Sequence, residues 1–90
     1  MFLVIAYDIA DDGRRLRIAR ELENWGYRTQ FSVFECELEA GQEAELIKRL
    51  RALCVEGDAL RVYKLCAACV ERCEIIGGKN LATDPDFYQL

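Results

Sequence analysis

The sequence predicts an α+β sandwich in which two helices cover one face of a sheet. Three observations carry that reading. Phe2 to Tyr7 is an unbroken apolar run of strand-forming residues. Two stretches, 13–25 and 42–54, repeat apolar residues at helical spacing. The segments that follow them are rich in β-favouring residues.

Taken in order, residues 1–8 read as a strand without polar alternation, the pattern of a strand buried on both faces. Asp11 or Asp12 then suits the N-cap of a helix over 13–25. Its apolar side is expected to carry Leu16, Ile18, Ala19, Leu22 and Trp25, and its polar side Arg14, Arg17, Arg20 and Glu21. Gly26 is expected to end the helix in left-handed backbone geometry.

The stretch "YRTQFSVFECEL" (27–38) changes phase midway. Tyr27, Phe31 and Val33 are apolar at odd positions, whereas Phe34, Cys36 and Leu38 are apolar at even ones. A one-residue shift implies a bulge or a tight corner between two strands. A second helix over 42–54 turns Leu46, Ile47, Leu50, Leu53 and Cys54 inward and breaks at Gly57-Asp58. "ALRVYKL" (59–65) is a strand with Arg61 and Lys64 as its polar members. "CEIIGG" (73–78) is a short last strand, and 79–90 is a tail holding the only proline, Pro85.

This order is a ferredoxin-like βαββαβ sandwich with an extra C-terminal strand, one domain over 1–78 followed by a tail over 79–90. Two helices cover only one sheet face, yet the first strand is apolar on both. Phe31, Val33 and Phe34 also ask for burial on both sides. A sheet-to-sheet homodimer is expected on these grounds. Residues 74–77 are expected to cross and pair with an edge of the partner's sheet. Phe87, Tyr88 and Leu90 would pack on the dimer or on a further protein.

Hydrophobic content of 52% with 31% charged residues argues for a folded chain and against disorder. The apolar run at the start is too short to span a bilayer, and no basic segment precedes it. A cytoplasmic protein without a membrane partner is expected. The net charge of −4 opposes nucleic-acid binding as an average, but the charge is unevenly spread. Arg14, Arg15, Arg17, Arg20 and Arg28 crowd one region, ahead of Glu35, Glu37, Glu39, Glu43 and Glu45. Salt screens charges beyond roughly 8–10 Å, so a local basic patch still binds phosphates.

Asp8 closes the first strand. It either caps the following turn or ligates a metal, and a dimer would bring a second Asp8 to the axis. The arginines are either a solvated face or phosphate contacts, for which the guanidinium fork is well shaped. Cys66, Cys69 and Cys73 have spacing that suits part of a zinc site, while free thiols are the simpler reading. The chain has no histidine, which removes Ser-His-Asp and Cys-His catalysis.

"VIAYDIADDGRRLRIARELENWGYRTQFSVFECEL", with "LRVYKL" and "EIIGG" after it, resembles the CRISPR-associated protein Cas-two family over residues 2–78. The resemblance implies a dimer formed through the sheets. It implies Mg²⁺ at Asp8 as the catalytic centre, supported by Tyr7 and Phe34. It also implies nucleic-acid contacts at Arg15, Arg17 and Arg28, which Arg14 joins as a neighbour. Two roles follow from it. One is a bridge that holds duplex DNA and the CRISPR integrase subunit during spacer acquisition. The other is a metal-dependent endonuclease on single-stranded RNA or on DNA, with no scaffold role in its strictest form. The bridge is the expected biological role and cleavage an accompanying activity. The three close cysteines have no counterpart in the resemblance.

Overall fold

A computed structural model describes residues 1–77. The strands are β1 (Phe2–Asp8), β2 (Tyr27–Gln30), β3 (Val33–Glu37) and β4 (Ala59–Leu65). The helices are α1 (Asp12–Glu23), α2 (Gln42–Leu53) and α3 (Ala67–Glu71). The strands form an antiparallel sheet in the order β2-β3-β1-β4, so both helical crossovers skip a strand. This is the expected α+β ferredoxin-like topology.

Alternation along β1 decides which side is the core. Leu3, Ile5 and Tyr7 point to the helices and are buried, together with Phe34 and Cys36 of β3. Ile18, Ala19 and Leu22 of α1 and Leu46 and Leu50 of α2 close that core. The other face carries Val4 and Ala6, both half-buried, beside Val33 of β3. Among the described residues, no helix covers the middle of it.

Asp11 is the N-cap of α1, its carboxylate accepting from the Arg14 N–H at 2.8 Å. Leu16 does not belong to the buried stripe and is 50% exposed. At 100° per residue it lies roughly 120° from the middle of Ile18, Ala19 and Leu22. The same arithmetic brings Arg14 to the margin of the core rather than to the polar side. Gly26 also differs from expectation. The helix stops at Asn24 with right-handed geometry, and Gly26 is not among the glycines with positive φ. A Cβ there would lie 2.2 Å from the Glu35 carbonyl oxygen and 2.6 Å from Cys36 Sγ, so close approach demands the glycine.

The phase change in 27–38 is both a corner and a bulge: the β2–β3 hairpin turns at 31–32, with a register shift between Arg28 and Gln30. Phe31 is 94% exposed at the tip of that turn rather than buried, because it stands outside both strands.

After β4 the chain forms α3, a helix not expected from the sequence. Ala67 and Val70 of this helix share a cavity of about 400 Å³ with Phe2 and Leu65 on the sheet face opposite α1 and α2. Residues 73–77 form no strand within the chain. A strand needs a neighbour to pair with, and among the described residues this segment pairs with none of the four strands. Ile76 stands 94% exposed. The expected tail packing of Phe87, Tyr88 and Leu90 lies outside the described residues.

Candidate functional site

Asp8 is the last residue of β1, paired in register with Ala59 of β4. Alternation places it with Val4 and Ala6 on the sheet face opposite α1 and α2. Its carboxylate is exposed and makes no hydrogen bond or ion pair among the described residues. The turn-capping role belongs instead to Asp11. An exposed carboxylate is a hard oxygen donor that suits Mg²⁺, which takes one or two carboxylates beside substrate phosphate and water. Among the described residues no cluster of three or more His, Cys, Asp or Glu side chains gathers around any point. One chain therefore presents a single carboxylate here, fewer protein donors than a metal centre held by several side chains would have.

The basic residues divide sharply by what they touch. Arg14 makes a two-pronged contact with Asp58: Nε donates to Oδ2 at 2.9 Å and Nη2 to Oδ1 at 3.0 Å. The Asp58 side chain is only 3% exposed. Its hydrogen bond from Arg14, with a second from the Val55 N–H, holds the carboxyl below the usual carboxylate range, and the same contact raises Arg14. Arg15 donates to the Ile9 carbonyl at 2.9 Å and pairs with Asp12. Both arginines thus brace the turn that follows Asp8.

Arg17 and Arg20 are exposed on the outer side of α1, with no ion pair among the described residues. Arg28 lies over the Phe34 ring, its guanidinium carbon 5.3 Å from the ring centroid. Phe34 in turn stacks with Tyr7 at 6.4 Å and 28°, and the Tyr7 hydroxyl donates to the Phe31 carbonyl at 3.2 Å. Tyr7, Phe34 and Arg28 are therefore one layered group at the hairpin end of the sheet. It stands on the helix side, whereas Asp8 faces away from the helices. Tyr7 and Phe34 are buried, so they position their neighbours rather than touch a substrate.

Sequence reasoning missed Asp58, whose partner is forty-four positions away. It placed Arg20 within the basic cluster but not among the candidate contacts. The helical wheel carries the signal for its exposure. Cys66 and Cys69, exposed at the start of α3, stand apart from this site, and their sulfurs are 3.5 Å from each other.

The family model described as CRISPR associated protein Cas2 matches residues 1–73. The sequence is 50% identical over 91 residues to CRISPR-associated endoribonuclease Cas2 1 of Chloroflexus aurantiacus, with 98% of each chain covered. Among solved structures it is similar to Streptococcus pyogenes Cas2 crystallised at pH 6.5, with a TM-score of 0.73 and 28% identity over 86% of this chain and 100% of that one. It is also similar to a chain of a partial Cas6-RT-Cas1–Cas2 complex, with a TM-score of 0.77 and 26% identity over 93% of each chain.

Proposed function

The chain belongs to the CRISPR-associated Cas2 family, and from that premise we propose that it works in CRISPR adaptation as a homodimeric bridge that holds duplex DNA and the integrase subunit, with a Mg²⁺-dependent phosphodiesterase centre at paired Asp8 residues. The observation that carries this reading is the placement of Asp8. Its carboxylate has no partner among the described residues, and it stands at the end of a central strand on the sheet face opposite α1 and α2. Two copies joined through those faces bury Val4 and Ala6 and bring the two Asp8 carboxylates toward one axis. The likeness to a chain of a Cas6-RT-Cas1–Cas2 complex supports the integrase as partner.

In this reading each residue has a physical task. The two Asp8 carboxylates hold the cation. Mg²⁺, when bound, supplies the positive charge that eases deprotonation of water and offsets charge on a scissile phosphate. Arg17 and Arg28 bind the polyanion's backbone, with Arg15 beside them, through contacts that carry no sequence information. Arg14 adds charge to the patch, but its guanidinium is committed to Asp58. Residues 74–77 pair with an edge of the partner's sheet, which gives the exposed Ile76 a place to be buried.

The second reading is a metal-dependent endoribonuclease without a scaffold role, which the endoribonuclease name of the Chloroflexus relative favours. Asp8→Ala separates the two. The bridge predicts loss of Mg²⁺-dependent cleavage of RNA and DNA with spacer acquisition retained. Loss of both activities by a variant that still dimerises would overturn the bridge in favour of the nuclease.

A further inference from the structure

Cys66, Cys69 and Cys73 belong to no part of the site above. All three are exposed, but their surroundings differ. Cys66 Sγ and Cys69 Sγ are 3.5 Å apart, at van der Waals contact. Cys73 Sγ instead donates to the Cys69 carbonyl oxygen at 3.3 Å, away from the pair. Three thiols on one metal ion would have to converge, and among the described residues no such cluster exists. Cys66 also lines the cavity of about 400 Å³ between the uncovered sheet face and α3, which lets a small molecule reach its sulfur.

We infer that Cys66 and Cys69 form a redox-active dithiol that closes to an intramolecular disulfide by exchange with small-molecule disulfides. The two sulfurs need to approach by about 1.5 Å to reach the bonded distance of about 2.05 Å, a movement that side-chain rotation at exposed positions accommodates. The roles of the two thiols are unequal. The Cys69 backbone N–H and then the Cys69 thiol, both beside its sulfur, hold Cys66 below the ordinary thiol range, and the same proximity raises Cys69. Cys66 is thus the attacking group and Cys69 the one that keeps its proton.

The chemistry balances with a disulfide such as oxidised glutathione. The Cys66 thiolate attacks one glutathione sulfur, and the S–S bond breaks to release one glutathione thiolate. Cys69 gives up its proton, and its sulfur attacks Cys66 Sγ of the mixed disulfide. That step expels the second glutathione thiolate, and protons from the protein and solvent convert both thiolates to thiols. The pair loses two electrons and the small disulfide gains them.

The test is equilibration of the full reduced chain in glutathione redox buffers, after chelator treatment, followed by acid quench, alkylation under denaturing conditions and mass spectrometry. The expected product lacks two hydrogens, with the link between Cys66 and Cys69 and with Cys36, Cys54 and Cys73 alkylated. Cys69→Ser is expected to stop at one glutathione on Cys66, and Cys66→Ser to form no intramolecular link. Cys73→Ser should behave as wild type. Native alkylation should be several-fold faster at Cys66 than at Cys73 at neutral pH. Links between chains, a link involving Cys73, or equal alkylation of Cys66 and Cys73 would each overturn the assignment. So would tight retention of Zn²⁺ that protects all three thiols together.

Discussion

Arg14 and Asp58 meet through two parallel hydrogen bonds of 2.9 and 3.0 Å, joining the first turn of α1 to the turn that leads into β4. The contact clamps the two segments that flank Asp8, one after it in sequence and one beside it in the sheet. Fork-to-carboxylate geometry of this kind is specific to arginine. Replacing Arg14 by Lys keeps the charge and loses the fork. Asp58→Asn and Arg14→Lys are both expected to lower the melting temperature at neutral pH. Asp58 has a folded pKa below its ordinary value of 3.8, so its contribution is present above that value. It is lost as pH falls through the lower folded value. Thermal melts should therefore show wild type and Asp58→Asn converging in strong acid.

Cys36 gives the opposite dependence on pH. Burial first, then the nearby Glu35, push its thiol from 9.0 up to about 11. The folded chain keeps the proton where the unfolded chain has released it, so this contribution is intact below pH 9.0 and lost as pH rises through about 11. A shift of that size is worth about 3 kcal/mol at most. Cys36→Ala should be less stable than wild type at neutral pH and should lose less stability between pH 9 and 11. Denaturant melts across that range make the comparison, and parallel curves would contradict it.

Local signals were the legible ones. The apolar run of β1, the Asp11 cap and the inward residues of α2 are each written within a few positions, and the structure follows them. The hairpin was also visible, because the phase change at 31–34 is a local fact about chain direction. What could not be read depends on distant partners. Arg14 resembles any surface arginine in the sequence because Asp58 is remote from it. Gly26 resembles a helix terminator because the Glu35 carbonyl that crowds it arrives with another strand. The five-residue helix α3 has too short an apolar pattern to distinguish from a loop. At the site, the carboxylate of Asp8 could be nominated from its position, but its facing direction required knowing which side of β1 the helices α1 and α2 cover.

Gly26→Ala tests the close approach directly. A methyl group there would meet a backbone oxygen at 2.2 Å, which cannot rotate out of the way as a side chain could. The junction of α1 and β2 must shift, at a cost of about 1–3 kcal/mol. Chemical denaturation should show that loss with an unchanged slope. A neutral result would mean that the junction has room to move.

Arg17 and Arg14 should separate in DNA binding although they are three positions apart. Arg17 is exposed without an ion pair among the described residues, whereas Arg14 is held by Asp58. Arg17→Ala is expected to weaken duplex binding on any sequence. It should also flatten the plot of log affinity against log salt by about 0.9 for each phosphate that is no longer neutralised. Arg14→Ala should leave that slope nearly unchanged and reduce stability instead. Fluorescence anisotropy titrations at several salt concentrations, with melts of the same variants, distinguish the two effects.

The proposed pairing of two Asp8 residues across a dimer axis predicts a metal effect that needs no nuclease assay. Two carboxylates drawn to one axis repel each other until a cation lies between them, and the repulsion is worth a modest amount at a wet surface. Mg²⁺ should therefore tighten the dimer of the wild-type chain. Asp8→Asn removes both the repulsion and the ligand charge, while its effect on the fold should stay within about 0.5 kcal/mol because the side chain is exposed. This variant should dimerise at least as well as wild type without metal, and adding Mg²⁺ should change it little. Ca²⁺ should partly replace Mg²⁺ in tightening wild type, since both accept hard carboxylate oxygens. Analytical ultracentrifugation with and without each cation measures all of these. A wild-type dimer constant indifferent to Mg²⁺ would place the two carboxylates too far apart to share an ion, and would remove the physical basis for a cation site at the axis.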